Sequence, residues 1–223
     1  MSRAVVGRYA GKLDWSDAVA RNRAAAAGAI EGGPAHILLF EPAHAVLSLG
    51  RRSWRAGLDD DLRPLAEARG LAIHDDDRGG RATLHLPGQL VALLALPIAR
   101  VALGAQIDRL LDAIAATAAR HTDAGIVLRQ GDDLGLWIGD AKLASVGMRH
   151  RDGVAWHGVA LNVAIEADAG RGLRLCGRET ERLASLLNPA ARPSIPTIAA
   201  ELLSVLSAVV AAPLGAPSDP NPR

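Results

Sequence analysis

Apolar positions in this chain recur with two periods, and the switch between them marks out the elements. Between Gly104 and His121, the residues Ile107, Leu110, Leu111, Ile114 and Ala118 repeat at three- and four-residue steps, which places them on one face of a helix. Further helices are predicted over Ser16 to Gly28, with Ser16 or Asp14 as cap, and over Asp61 to Ala68, Thr180 to Leu187 and Thr197 to Ala211. Shorter apolar runs read as strands: HILLF (His36 to Phe40) and AVLSLG (Ala45 to Gly50), joined through Glu41 and Pro42, then Leu71 to His74. A glycine loop, Arg78-Gly79-Gly80, then feeds the long segment TLHLPGQLVALLALPIA (Thr83 to Ala99), which Pro87-Gly88 breaks in two.

Three strands follow, separated by the two-residue turns Gly139-Asp140 and Asp152-Gly153. Asp-Gly between apolar runs is a strong hairpin signal, because its backbone twist matches that of the flanking strands. A two-residue second turn fixes the register: facing residues have numbers that sum to 305, so Gly147 meets Gly158 and Ser145 meets Ala160. Small residues facing one another leave a trough where a ligand can reach the backbone, or mark a sheet bend or a close helix. Strands and helices mixed in this order predict one α/β domain over residues 1–212, with a disordered tail over 213–223.

Composition narrows the function. The chain has 223 residues, 49% of them hydrophobic, and a formal net charge of +1, which suits a soluble globular domain and argues against a general nucleic-acid binder. Local basic clusters at Arg51, Arg52 and Arg55, at Arg149 and Arg151, and at Arg171, Arg174 and Arg178 are solvated surface or a landing place for an acidic partner. The start lacks an apolar secretory core, and no apolar run reaches the roughly 20 residues of a membrane helix, so a cytoplasmic, membrane-free setting is expected. The single cysteine, Cys176, allows no internal disulfide and fits a reducing compartment.

Four segments carry candidate chemistry. RGGRATLHLPGQ (Arg78 to Gln89) pairs glycines, which can turn backbone N–H groups toward a ligand or simply make a turn, with the polar handles Arg78, Thr83, His85 and Gln89. AKLASVGM (Ala141 to Met148) places Lys142 inside an apolar strand. An ammonium buried there must find partners or lose its proton readily, unless it snorkels to water. WHGVALNV (Trp156 to Val163) sets His157 and Asn162 beside the glycine trough. LCGRET (Leu175 to Thr180) puts Cys176 at a turn before a predicted helix, whose N-terminus would favour thiolate over thiol. Lys142 is one of two lysines among 25 basic residues. Arginine holds its proton near neutral pH, whereas a partly buried lysine can release one. A unique thiol and a rare lysine, each beside glycine-containing apolar sequence, suggest an activated cysteine nucleophile, although a lone cysteine also serves as a small buried hydrophobe.

Taken together and in this order, the four segments resemble the octanoyltransferase family of lipoate biosynthesis. That family carries an RGGxxTxHxPGQ block, a KIAxxG-like strand, an HGxALNV block and a terminal CG, met here as Arg78 to Gln89, Lys142 to Gly147, His157 to Val163 and Cys176-Gly177. ILLFEPAHAVLSLGRR resembles the family's start, and coverage runs from about residue 13 to 210. The resemblance implies a mixed, mostly antiparallel sheet flanked by helices, as in the biotin and lipoate protein ligase catalytic domains. It implies a Cys176/Lys142 dyad that takes an octanoyl group from acyl carrier protein, holds it as a thioester and passes it to the lysine of a lipoyl domain. Acceptors would be lipoyl domains of 2-oxoacid dehydrogenase complexes, with the glycine cleavage protein as a further candidate. No cofactor, metal or ATP is implied. Residues Arg78, Gly79, Gly80, Arg81, Ala82, Thr83, Leu84 and His85, with Ser145, Val146, Gly147, Gly158, Val159 and Ala160, would line the substrate pocket. Gln89, His157 and Asn162 would support it.

The chain departs from the family pattern at Leu84, Leu86, Leu93 and Leu175, where the family has an aromatic residue, glycine, tyrosine and proline. These four positions bear on pocket shape and acyl-chain length. Two rival functions share the features: an ATP-dependent lipoate ligase of the same fold, which needs no Cys176, and a non-catalytic acyl- or carrier-binding protein.

Overall fold

Both predicted hairpins form, and the sheet grows outward from them. In the computed structural model, which describes residues 4–56, 61–173, 182–188, 190 and 194–213, β1 (Val5–Leu13) and α1 (Trp15–Ile30) come first. β2 (Ala35–Pro42), β3 (Val46–Leu49), α2 (Arg51–Ala56), α3 (Leu62–Ala68) and β4 (Ala72–Asp75) follow. β5 (Ala82–His85), β6 (Gln89–Pro97), α4 (Leu103–Ala118), β7 (Ile126–Arg129) and β8 (Gly135–Ile138) come next. The last elements are β9 (Ala141–Arg151), β10 (Val154–Asn162), β11 (Arg182–Leu183) and α5 (Ile195–Ala211). The main sheet runs β1-β2-β6-β10-β9-β8-β7, with β11 beside β9, and a small sheet runs β4-β3-β5. Most pairs are antiparallel; β1–β2, β9–β11 and β3–β4 are parallel.

β6 (QLVALLALP) is buried on both faces, which explains its continuous apolar run. One face carries Leu90, Ala92, Leu94 and Leu96 into the main core beneath α4 and α5, where Leu110, Ile114, Leu202 and Leu206 meet them. The other face turns Val91 and Leu93 toward Trp15, Ala18 and Val19 of α1. The small sheet closes over that second face, with its own cluster of Leu47, Leu49, Leu84, Leu86 and Leu183. Among the described residues, no helix is long and apolar enough to cross a membrane.

The register is as the turn spacing predicts, with Gly147 opposite Gly158 and Ser145 opposite Ala160. Asp14, not Ser16, stands at the α1 cap position, without a side-chain cap bond. Three elements have no counterpart in the sequence reading: β1, the edge strand β7 and the short α2. The helix expected over Thr180 to Leu187 does not form over residues 182–188. There Arg182 and Leu183 pair with Ala141 and Lys142, and the backbone N–H groups of Ala184, Leu186 and Leu187 donate across to Lys142, Asn162 and Val163. Those donors are spent on neighbouring strands, so none is left for a helical ladder. The argument that a helix N-terminus activates Cys176 loses its basis accordingly. Cys176, Leu175 and residues 214–223 of the tail lie outside the described residues.

Candidate active site

Two cavities meet where β9 approaches the glycine loop. The inner one is narrow, about 30 Å³, and is lined by Trp15, Val91, Leu93, Val146, Val159 and Ala160 with Arg78, Thr83, His85, Ser145, Gly147, His157 and Gly158. The outer one is a wide cleft of about 810 Å³, within the usual range for small-molecule sites of roughly 300–1,000 Å³. Its wall includes Gly79, Gly80, Arg81, Lys142 and Met148, and it shares Arg78, Thr83, Ser145, Val146 and Gly147 with the inner pocket. Of the fourteen residues expected to bind substrate, only Ala82 and Leu84 line neither cavity. Both are buried in the small-sheet cluster, because alternate residues of β5 point away from the pocket. Leu86 packs in that cluster too. Of the departures from the family pattern that are described, only Leu93 therefore shapes the pocket.

The facing glycines leave less open trough than their size suggests. A side chain at Gly158 would stand 2.0 Å from the Ala92 carbonyl oxygen of β6, and one at Gly147 would stand 3.1 Å from Arg78 Cδ. The glycine loop itself seats on β9: Gly79 N–H donates to the Met148 carbonyl at 3.0 Å. Backbone contacts require glycine at Gly158 and Gly79, Gly147 packs tightly on the Arg78 side chain, and the inner pocket is the space left over.

Behind that pocket runs a chain of buried polar groups. Arg78 donates from Nε and Nη2 to Ser48 Oγ at 3.1 and 2.7 Å, and from Nη2 to the Ser48 carbonyl at 2.8 Å. Ser48 Oγ lies 3.2 Å from His85 Nε2, and His85 Nδ1 lies 3.2 Å from Gln89 Oε1. Gln89 Nε2 donates to Asn162 Oδ1 at 2.8 Å and to the Leu84 carbonyl at 3.1 Å. Asn162 Nδ2 donates to the Lys142 carbonyl at 3.0 Å. The Trp15 ring stacks on His85 with centroids 4.0 Å apart, and its Nε1 donates to Asp76. Burial, with the Arg78 charge beside it, pushes the His85 imidazole down to about 3, against a weaker upward pull from the Gln89 bond.

Lys142 is 4% exposed, and its ammonium lies 5.1 Å from the centroid of the Trp137 ring, a cation–π distance. Arg129 contacts the same ring at 4.5 Å. Lys142 belongs to the wall of the wide cleft rather than to the core. Leu183 of β11 pairs with Lys142, and Ala184 N–H donates to the Lys142 carbonyl at 2.9 Å. The chain that leaves the Cys176 segment is thus anchored on the lysine itself.

A second polar cluster closes the inner end. His157 is 1% exposed and sits at φ 62°, a left-handed conformation that non-glycine residues adopt rarely, with its backbone N–H held by Asn22 Oδ1. Its Nε2 contacts Asp77 Oδ1 at 2.6 Å, and Arg149 pairs with the other Asp77 oxygen. Burial alone would raise the Asp77 carboxyl. The His157 bond and the charges of His157, Arg149 and Arg23 outweigh it and hold the carboxyl well below the usual range. Among the described residues, no group of three or more His, Asp or Glu is placed to hold a metal ion. Sequence reading passed over Ser48, Trp15 and Asp77. Ser48 had a signal, as the one polar residue within an apolar strand, and so did Trp15 in an aromatic-poor chain. Asp77 is one of three consecutive aspartates and had none.

Comparison with known proteins places this arrangement. An octanoyltransferase of Xylella fastidiosa (strain 9a5c) is 35% identical over 133 residues, which take in 59% of this chain and 57% of that protein. The chain spans about half the length of the curated relatives it matches. Among solved structures, a bipartite lipoate protein ligase of Thermoplasma acidophilum, described with its E2 lipoyl domain, has a TM-score of 0.62 at 16% identity, over 92% of this chain and 84% of its own. Biotin protein ligase of Leishmania major in complex with biotin has a TM-score of 0.50 at 12% identity, over 93% and 75% of the two chains. These likenesses establish the fold, which is the one expected. The model of the lipoyl protein ligase A/B catalytic domain matches residues 9–196, and the chain belongs to that family.

Proposed function

We propose that residues 1–212 form an acyltransferase domain that moves an octanoyl group from acyl carrier protein, through a Cys176 thioester, to the lysine of a lipoyl domain. The observation that supports this reading is that residues 182–184, which follow Cys176 by six to eight positions, pair with the strand of a rare, buried lysine, Lys142. In the first half-reaction the Cys176 sulfur attacks the carrier thioester. A new C–S bond forms, the carrier C–S bond breaks, and the thiol proton passes by way of Lys142 to the departing carrier thiolate. In the second, the acceptor amine attacks the enzyme thioester, an amide forms, Cys176 departs as thiolate, and Lys142 relays the amine proton back to it. A thioester is reactive enough to acylate an amine, so the balance closes without ATP.

The narrow inner pocket, with Leu93 and Trp15, takes the tip of the chain, while the wide cleft holds the rest, with Lys142 and the shared wall from Ser145 to Gly147 flanking the carbonyl end. The relatives named octanoyltransferase, 34–38% identical, favour this reading over ATP-dependent ligation. The test is incubation with octanoyl-acyl carrier protein and intact-mass measurement. A single hydroxylamine-sensitive octanoyl adduct should form, be absent in Cys176→Ala, and pass to an added lipoyl domain without ATP. Normal transfer by Cys176→Ala would reject the mechanism, and strict ATP dependence would favour the ligase.

A further inference from the structure

In a regular strand, Lys142 would share a face with Ala144, whose side chain belongs to the main core. It does not, because β9 carries a bulge. On the β8 side Ser145 faces Gly135 and Ala144 faces Leu136, but Trp137 faces Lys142, so Leu143 is an extra residue. One inserted residue exchanges the faces of everything beyond it. Leu143 and Ala144 both enter the core, and Lys142 comes into phase with Ser145 and Gly147, over the Trp137 ring. A side chain at Gly135 would stand 3.1 Å from Lys142 Cε, so the lysine stem runs through space that Gly135 leaves free.

The bulge interrupts the ladder on the β10 side as well. Pairing between β10 and β9 ends at Leu161 and Ala144, and beyond it the Asn162 side chain meets the Lys142 carbonyl beside the Ala184 backbone N–H that follows β11. Three ends fix the sense of the polar chain that leads there. A carbonyl only accepts, so Asn162 must turn Nδ2 to Lys142 and Oδ1 to Gln89. The Leu84 carbonyl independently requires Gln89 to present Nε2 there, leaving Oε1 for a hydrogen from His85 Nδ1. At the far end arginine only donates, so Ser48 Oγ accepts from Arg78 and spends its one hydrogen on His85 Nε2. Both ends demand the same His85 tautomer, with hydrogen on Nδ1.

We propose that Arg78, Ser48, His85, Gln89 and Asn162 form a one-way hydrogen-bonded strut that pins the Leu143 bulge and so aims Lys142 into the cleft. Ser48, Gln89 and Asn162 are positioning residues. The strut joins the glycine loop of the substrate pocket to the lysine strand, so ordering of Arg78 by a bound ligand is felt at Lys142. The role of the aimed lysine rests on the acyl-transfer reading above; the strut itself does not.

Two measurements test it. In ¹⁵N-histidine-labelled protein, His85 should carry its hydrogen on Nδ1, and the Nε2–H tautomer would overturn the proposal without any variant having to fold. Alkylation of Cys176, the only thiol, is then followed against pH in wild type, Lys142→Ala and Asn162→Leu. The Asn162→Leu profile should move toward that of Lys142→Ala, with kcat for acyl transfer down at least about tenfold and KM for the acyl carrier within about twofold. A wild-type profile in Asn162→Leu beside a displaced one in Lys142→Ala would overturn the strut. No displacement in Lys142→Ala would instead remove the dyad reading, and with it the aimed role of the lysine.

Discussion

Acid should weaken this fold through one imidazole. His85 is 5% exposed, lies under the Trp15 ring and has both nitrogens engaged, by Ser48 and Gln89. Protonation would put a second N–H against Ser48 and a charge beside Arg78. The folded-state pKa is therefore lowered, to about 3, against about 6.5 for an unhindered imidazole. For a group lowered in this way, neither folded nor unfolded chain holds the proton above the unfolded pKa, and there is no linkage. As pH falls below that point the unfolded chain takes up a proton that the folded chain refuses. Stability is then lost at about 1.4 kcal/mol per pH unit until the folded pKa is reached. The loss between pH 7.5 and pH 5 comes to about 2 kcal/mol. Asp77 works in a separate window: its carboxyl is depressed, so its contribution is full above the unfolded carboxylate pKa and is lost only as pH falls through and below about 4. Urea unfolding of wild type and His85→Asn at pH 7.5, 6.5, 5.5 and 5.0 isolates the imidazole, because asparagine can donate to Gln89 but cannot take up a proton. The stability difference between the two should move in favour of the variant by about 2 kcal/mol from pH 7.5 to pH 5. Parallel curves would show that His85 titrates normally in the folded protein and that its surroundings are wetter than the structure has them.

Three further outcomes follow from the same geometry. Lys142→Arg keeps the charge but loses the exchangeable proton, and acyl transfer should fall at least about a hundredfold; near wild-type turnover would show that proton movement by Lys142 is not needed. Leu93→Ala should enlarge the inner pocket and move the chain-length optimum from octanoyl toward decanoyl. Two added methylenes are worth about 1.6 kcal/mol, or roughly fifteenfold, where they find room, and an unchanged preference among hexanoyl, octanoyl and decanoyl carriers would place the limit elsewhere. Gly135→Ala introduces a side chain 2.4 Å from the Ala144 carbonyl oxygen, at φ 150°, and should cost about 2 kcal/mol or more in chemical unfolding while depressing turnover beyond the loss of folded protein.

Local pattern carried most of the fold. The turn residues at Asp152-Gly153 fixed a register that holds over eight consecutive pairs, because a two-residue turn leaves no freedom to slip and a slip would expose a buried face. The break at Pro87-Gly88 was legible too, and it separates β5 from β6, whose continuous apolar run is covered on both sides. β1 escaped because VVGRYAGKL lies at a sheet edge and keeps several positions exposed, which blurs its alternation. The helix predicted over Thr180 to Leu187 failed for another reason: that segment's hydrogen bonds are made to β9 and β10, partners far away in sequence that no local window contains.

The same distinction separates the legible part of the site from the rest. Arg78, Thr83, Ser145, Gly147, Gly158 and Ala160 could be grouped because hairpin register and a glycine loop bring them to one face, and both are local signals. The aim of Lys142 is not local. Strict alternation from Ala144 and Val146 would send it into the core, and only a one-residue bulge, held from behind by Asn162, reverses that. The cost of burying Lys142 told that it must be partnered, but not where. The answer depends on Ser48 and Gln89, 94 and 53 residues upstream, whose polar groups have meaning only once three carbonyl and guanidinium ends fix which way each one points. A pattern of residue types can therefore name the lysine, while the direction in which it works is written in hydrogen-bond polarity across strands that are adjacent only in the folded chain.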